Sequence, residues 1–193
     1  MKYLKMFGLA VGVASLMAVL GAGSASATVL CKVASNPCPV ESRYVAGTAI
    51  DASLEAGRSL LFESGTTAID TCTASTLQTK TTNTGSSTES VLLKVEAFSI
   101  INCVMTSDTT TLGEMQIHWI SGTNNGTLTA KGTSGIAANC NWNLKEWTTI
   151  GAIKGGNPAK IEFSMPITQI CWWNRMTAIH TITSPKPLYV SAS

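Results

Sequence analysis

The sequence predicts an all-β protein, either a sandwich or a barrel of short antiparallel strands, crosslinked by three disulfides and preceded by a signal peptide. Several segments place apolar residues at every second position, which is the period of a strand with one buried face. Turns rich in Gly, Asn and Pro separate these segments, and no mature segment keeps a helical period over about twelve residues. Six cysteines indicate a disulfide framework.

Residues 1–27 have the parts of a secretory signal peptide. Lys2 and Lys5 give a basic start, residues 6–20 are apolar and uncharged, and Ala25-Ser26-Ala27 supplies the small residues that signal peptidase requires. An apolar run of about fifteen residues is shorter than the roughly 20 that cross a bilayer as a helix. We therefore expect cleavage after Ala27, one domain over residues 28–193, and no stable membrane span after cleavage.

The charge balance argues against a strongly electrostatic partner. The chain has 13 basic residues, of which two lie in the leader, so 11 remain against 11 acidic residues. A neutral domain with 12% charged residues is not expected to bind nucleic acid. The expected location is secreted, either extracellular or associated with the cell envelope.

The hairpin over Glu114 to Lys131 is the clearest local prediction. Met115, Ile117 and Trp119 alternate along its first strand, and Leu128 and Ala130 resume one face after Asn125-Gly126. An Asn-Gly pair readily takes the positive φ values of a type I′ turn, so we place the turn there. The same period predicts four more strands, which are Thr48–Leu54, Val91–Ala97, Ile161–Met165 and Leu188–Val190.

The spacing of the cysteines suggests a pairing, although six cysteines allow fifteen connectivities. Cys31 and Cys38 bracket a compact loop, whereas Cys72 and Cys103 are 31 positions apart, as are Cys140 and Cys171. Alternating apolar segments begin 19 positions after Cys72 and after Cys140. This coincidence indicates a weak internal repeat and the pairing Cys31–Cys38, Cys72–Cys103 and Cys140–Cys171.

A catalytic or metal centre has little support in the sequence. Two histidines are fewer than the three or four ligands of a usual zinc site, and HExxH, GxSxG and Gly-rich phosphate loops are absent. By parity, His118 is expected to be exposed and His180 to lie in a packed wall. The carboxylates Asp70, Glu96 and Glu162 are expected on ordinary strand faces. We therefore predict no catalytic residue, no metal and no cofactor, although a spatially assembled triad leaves no sequence trace.

The five tryptophans all lie in the second half of the chain. Trp172 and Trp173 are adjacent, and neighbouring strand residues point to opposite faces, so both cannot enter one core. If Cys171 and Trp173 face inward, Trp172 faces outward; Trp147 likewise has the opposite parity from Leu144. Exposed tryptophan offers an apolar plate for a sugar ring or a partner surface. Trp172 and Trp147 are therefore the candidate binding residues, with a second packed layer over Trp172 as the alternative.

Several short segments together resemble a group of secreted, six-cysteine, β-rich proteins of actinobacterial type. They are Leu30-Cys31-Lys32 with Cys38, Lys80-Thr81-Thr82-Asn83, Gly155-Gly156-Asn157-Pro158-Ala159, and Thr183-Ser184-Pro185-Lys186-Pro187-Leu188-Tyr189-Val190. The resemblance covers most of the mature chain and implies export and a disulfide-bonded β-domain. The group has no assigned activity, so no catalytic residue is carried over.

Three functions are consistent with the sequence. The first is a non-enzymatic exported domain that associates with the cell envelope, or with a glycan or surface protein, through exposed aromatic residues. The second is a secreted hydrolase, which needs a histidine or carboxylate beside a nucleophile at a cleft. The third is a secreted effector or inhibitor, which the disulfides favour.

Overall fold

The computed structural model describes residues 27–105, 109–111, 113–137, 140–166 and 172–193. Within these ranges the chain forms one short 3-10 turn at Val40–Ser42 and fourteen strands. The strands are β1 (Val29–Cys31), β2 (Ala49–Leu54), β3 (Leu60–Ser64), β4 (Thr67–Thr81), β5 (Val91–Cys103), β6 (Thr109–Thr111), β7 (Glu114–Trp119), β8 (Gly126–Lys131), β9 (Ser134–Ala137), β10 (Cys140–Asn143), β11 (Thr148–Lys154), β12 (Lys160–Pro166), β13 (Arg175–Ser184) and β14 (Tyr189–Ser191).

The main sheet closes into an eight-position antiparallel barrel, which decides between the two predicted architectures. Its order is β2, β4, β5, β7, β8, β11, β12 and β13, and β13 then pairs back onto β2. The strands follow one another around the wall in chain order, so the barrel is an up-and-down meander. Closure gives each of these described wall strands a paired neighbour on both sides along at least part of its length, although β5 pairs with β7 only over residues 91–94.

One wall position is shared by two strands. β2 pairs with residues 76–80 of β4, while β3 pairs with residues 67–72 of the same strand. Both also pair with β13, at residues 180–184 and 175–177. The segment between Leu54 and Leu60 leaves the wall, so the wall is interrupted beside the middle of β4.

Alternating side chains fill the barrel. The buried set is dominated by branched aliphatic residues and methionine, which fit the inner face of a twisted sheet. It includes Ile50, Ala52, Leu77, Val91, Leu93, Val95, Ile100, Met115, Ile117, Leu128, Ala130, Ile150, Ile153, Ile161, Phe163, Met165, Met176, Ala178 and Ile182. An internal cavity of about 20 Å³ lies between Phe98, Phe163 and Met176. This volume is close to that of a single water site and far below the roughly 150 Å³ that admits benzene.

The two ends of the barrel differ. At one end, which we call the sealed end, β1 and β14 pair with each other and bury Leu30 and Val190 over the opening. The main chain of Trp119 donates a hydrogen bond to Thr28 Oγ1 at 3.0 Å, which ties this cover to the wall. The connections between β3 and β4, β5 and β7, β8 and β11, and β12 and β13 lie at the opposite end, which we call the distal rim. The small sheet of β6, β9 and β10 belongs to these distal connections.

The predicted hairpin is confirmed, but its predicted turn is wrong. Glu114 pairs with Lys131 and Trp119 pairs with Gly126, so the connection spans Ile120 to Asn125 and Gly126 is already in the strand. The positive φ in this loop belongs to Gly122, at 75°. Gly126 is required for close approach instead, because a Cβ there would lie 2.9 Å from Ile117 Cγ2 and 3.0 Å from the His118 carbonyl oxygen.

Two of the three predicted disulfides are confirmed. Cys31–Cys38 lies beside the sealed end, and Cys72–Cys103 joins the neighbouring strands β4 and β5. The predicted Cys140–Cys171 bond lies outside the described residues. In the part of the chain that the structure describes, no helix has the length and apolar character needed to cross a membrane.

Candidate functional site

The two tryptophans singled out by sequence are both exposed, and both lie at the distal rim. Trp172 is 50% exposed between β12 and β13, and Trp147 is 39% exposed just before β11. β11 and β13 flank β12, so the strand ends that carry the two tryptophans are about two strand spacings, roughly 10 Å, apart. The geometry therefore places two apolar plates on adjoining parts of one rim.

Trp172 is held on a rigid base. Its neighbour Trp173 is fully buried, with its ring 4.7 Å from that of Phe62 between centroids. Trp172 is exposed and Trp173 buried, as predicted, but both lie before β13 rather than in a strand, so the alternation used for the prediction does not apply; Cys171 lies outside the described residues. Because Trp173 fixes the adjacent main chain, Trp172 loses less conformational entropy when it binds a ligand than a side chain on a flexible loop would.

Hydrogen bonds fix the chain that follows Trp173. The main chain of Asn174 donates to the Glu63 carbonyl oxygen at 2.8 Å, and the Gly65 main chain donates to Asn174 Oδ1 at 3.4 Å. Arg175 Nε donates to Glu63 Oε2 at 3.1 Å, and Thr177 donates to the same oxygen. The aromatic segment is thereby joined to the turn between β3 and β4.

Trp147 has a different setting. Leu144 is buried and Trp147 is exposed, but both lie in the connection between β10 and β11, so the predicted strand parity does not apply to them; the side chains of Cys140 and Trp142 lie outside the described set. Lys145 and Glu146, which precede Trp147, are both exposed. Exposed polar side chains therefore lie next to Trp147 in the chain, and they can hydrogen-bond to a ligand.

A buried carboxylate shapes another part of the same rim. Asp70 is only 2% exposed, so its predicted place on an ordinary strand face is wrong. Its Oδ1 accepts main-chain hydrogen bonds from Thr71 at 2.7 Å, Val104 at 3.1 Å and Met105 at 3.2 Å. Asp70 therefore caps the chain where it leaves β5 and holds the exposed side chains of Val104 and Met105 in place.

The remaining carboxylates do not form an acid pair with Asp70. Glu96 is exposed on β5, and Glu162 on β12 forms an ion pair with Lys154 at 3.7 Å. Asp70 lies within 4.8 Å of the sulfurs of Cys72 and Cys103. Those sulfurs are bonded to each other, so this group does not present the thiolates that a metal ion would require.

His180 and Ser75 form a polar pair inside the barrel. His180 is fully buried, as predicted, and its Nε2 lies 3.0 Å from Ser75 Oγ. Burial lowers the pKa of His180 from 6.5 to about 4, so the ring is neutral at physiological pH. Its Nδ1 is buried without a hydrogen-bond partner in the described structure, and the ring of Phe163 stands edge-on at 5.2 Å. His118, expected to be exposed, is half-buried instead.

Sequence reasoning missed Ser75, the capping role of Asp70 and the anchor formed by Phe62. The pairing of Ser75 with His180 joins residues 105 positions apart, on strands with no local motif between them. Asp70 does carry a local signal, because a carboxylate two positions before a cysteine in an alternating segment points into the same face as that cysteine.

No protein-family model, no curated protein and no solved structure matches this chain.

Proposed function

We propose that the protein is an exported, non-enzymatic domain that associates with the cell envelope through its distal rim. Trp172 and Trp147 are the contact plates, and wall polysaccharide is the first ligand to test. The signal peptide predicted over residues 1–27 would deliver the domain to an oxidising compartment, where the two described disulfides are stable.

One observation carries this proposal, which is the shared position of Trp172 and Trp147 on adjoining strand ends of one rim. Large apolar side chains exposed together mark a contact surface more often than isolated ones do. Covering the exposed half of one tryptophan, roughly 100 Å², contributes about 2 kcal/mol, or about 30-fold in affinity. The opposite end is covered by the protein's own β1 and β14, so the distal rim is the end available to a partner.

Location is tested by fractionating the native host into medium, wall and membrane, with mass spectrometry of the N-terminal peptide in each fraction. A peptide that begins at Thr28 and is concentrated in the wall supports the proposal. Cleaved protein found mainly in the medium contradicts envelope association. Uncleaved protein in the membrane contradicts the predicted cleavage after Ala27.

Binding is tested by sedimentation of the purified protein with isolated cell wall. We expect Trp172→Ala to weaken binding by about tenfold or more, and Trp147→Ala to weaken it as well. Half or more of each side chain packs against the protein, so each variant should lose about 2 kcal/mol of unfolding free energy at most, and wall binding is compared at equal concentrations of folded protein. Val40→Ala is the matched control, because Val40 is 74% exposed but follows β1 beside the sealed end. Equal wall binding by all three variants would refute the role of the rim.

A secreted hydrolase is the second candidate, favoured by the 3.0 Å contact between Ser75 Oγ and His180 Nε2. Three features weigh against it: the Nδ1 atom has no orienting partner, the low pKa makes the imidazole a weak base, and Ser75 is only 3% exposed. A fluorophosphonate probe followed by peptide mapping decides the matter. Labelling of Ser75 that is lost in His180→Gln would establish the hydrolase and overturn the non-enzymatic proposal.

A further inference from the structure

The barrel wall has a second feature, separate from the distal rim, where β2 has ended and β3 has not yet begun. β2 pairs with β4 from residue 76 onward, and β3 pairs with β4 up to residue 72. Among the described strands, none pairs with residues 73–75 on that side. A depression of about 190 Å³ lies at this interruption, and we call it the wall depression.

The lining of the wall depression is rich in hydroxyl groups. Five of the lining residues carry hydroxyl groups, namely Ser53, Thr73, Ser75, Thr76 and Ser99, of which the Ser75 hydroxyl is bonded to His180 inside the barrel. Each hydroxyl can donate one hydrogen bond and accept others. No charged side chain belongs to this lining, so it offers no ion pair to an anionic or cationic ligand.

The size and the remaining lining restrict the ligand further. A cavity of roughly 150 Å³ holds one six-membered carbon ring, so about 190 Å³ suits a ring that carries small substituents. Leu54 and Ile101 give the depression an apolar side, and Ile101 is 49% exposed. A ring with C–H groups on one face and several hydroxyls around its edge matches both parts of the lining.

We propose that the wall depression binds a neutral sugar ring through hydroxyl-to-hydroxyl hydrogen bonds. Thr73 and Thr76 are exposed, while Ser75 is buried deeper and is hydrogen-bonded to His180 behind it. Ser75 therefore connects this stretch of β4 to His180 in the interior, and the hydroxyls available to a ligand are those of the other lining residues. A change in the NMR signal of the His180 ring would therefore indicate that a ligand has bound at the wall depression.

The test is an NMR titration of the uniformly ¹⁵N-labelled protein with methyl α-D-glucopyranoside. We expect shifts of the amides of residues 73–76 and 99 and of the His180 ring, with His118 on β7 unchanged as the internal control. A ligand of this size that binds through a few hydrogen bonds is expected to have a Kd of about 1 mM or weaker. Cyclohexanol, with the same ring size and one hydroxyl, should bind at least about tenfold more weakly.

A pair of variants separates the wall depression from other surfaces. Thr76→Val removes one lining hydroxyl at constant shape and should weaken binding about three- to tenfold. Thr149→Val is the matched control, because Thr149 is an exposed strand threonine on β11, away from the wall depression, and should leave the Kd unchanged.

Three results would overturn this inference: no shift of residues 73–76 at about 100 mM pyranoside, equal affinity for cyclohexanol, or equal weakening by Thr76→Val and Thr149→Val. The result is independent of the rim proposal, since wall sedimentation depends on Trp172 and this titration depends on Thr76. Shifts confined to Trp172 and Trp147 would support the rim and refute the wall depression.

Discussion

Lowering the pH from about 7.5 to about 4 should destabilise this barrel through His180. The ring is fully buried, and desolvation lowers its folded-state pKa to about 4 from the ordinary 6.5. As the pH falls, His180 therefore binds a proton near pH 6.5 in the unfolded chain but only near pH 4 in the folded protein. The stability contributed by the neutral ring is complete above about pH 6.5 and is lost as the pH falls toward 4. Linkage gives a loss of about 2 kcal/mol at pH 5 and about 3 kcal/mol at pH 4.

The assay is guanidinium unfolding at a series of pH values for the native protein and for His180→Gln. Glutamine does not titrate and can still hydrogen-bond to Ser75, so the comparison concerns the pH slope rather than absolute stability. We expect the native protein to lose about 3 kcal/mol more than the variant between pH 7.5 and pH 4. His118→Gln is the matched control; burial also lowers the pKa of half-buried His118, so its effect has the same sign and should be smaller.

The reasoning would be refuted if the native protein and His180→Gln lost the same stability, to within about 0.5 kcal/mol. An NMR titration of the two histidine rings provides an independent check. A His180 ring that titrates near 6.5 in the folded protein would show that the imidazole is not desolvated.

Three further predictions concern stability. Asp70→Ala removes the side-chain acceptor of the Thr71 and Met105 main chains, while the Val104 main chain keeps its bond to the Thr71 carbonyl oxygen at 3.1 Å; the change should cost about 2 kcal/mol by chemical denaturation, and Asp70→Asn, which keeps an acceptor oxygen, should cost less. Replacing Cys72 and Cys103 together by alanine opens a loop of 31 positions and should cost roughly 3–4 kcal/mol, while the reduced native protein, which also loses Cys31–Cys38, should lose more. Gly151→Ala would place a Cβ 2.1 Å from the Glu162 carbonyl oxygen, at a φ of +154°, and should lower the Tm by several degrees; an unchanged Tm would mean that β11 and β12 separate easily.

Several of the predicted strands have burial that follows a two-residue period, although β13, whose burial also alternates, was not among the predictions. Met115 and Ile117 in β7, and Ile161 and Phe163 in β12, each face the interior with polar residues between them. β4 was not predicted, because its buried face changes between Cys72 and Ser75, beside the wall interruption. The apolar pattern of the local sequence does not indicate this change of buried face, because the change depends on which strand lies beside β4.

The candidate sites differ in how far they depend on contacts between distant parts of the chain. Trp172 is exposed as predicted, but it and Trp173 precede β13, so the alternation of strand residues is not the reason for its exposure. The pair of Ser75 and His180 depends on closure of β13 against β2 and β4, so it needs the whole wall before the two side chains meet. The predicted turn at Asn125-Gly126 is wrong because glycine at position 126 is needed inside β8 for close approach to Ile117 and His118 of β7 and to Val190 of β14, which the local sequence does not report.

Pairing of β1 with β14 has a consequence for the order of folding. Val29 pairs with Ser191, so the contact that covers the sealed end joins nearly the first and the last described residues. Contacts between such distant positions form late, because the entropy of closing a very long loop is lost before the contacts contribute any stabilising energy. A chain emerging from the ribosome therefore cannot complete this cover until its last strand has been made.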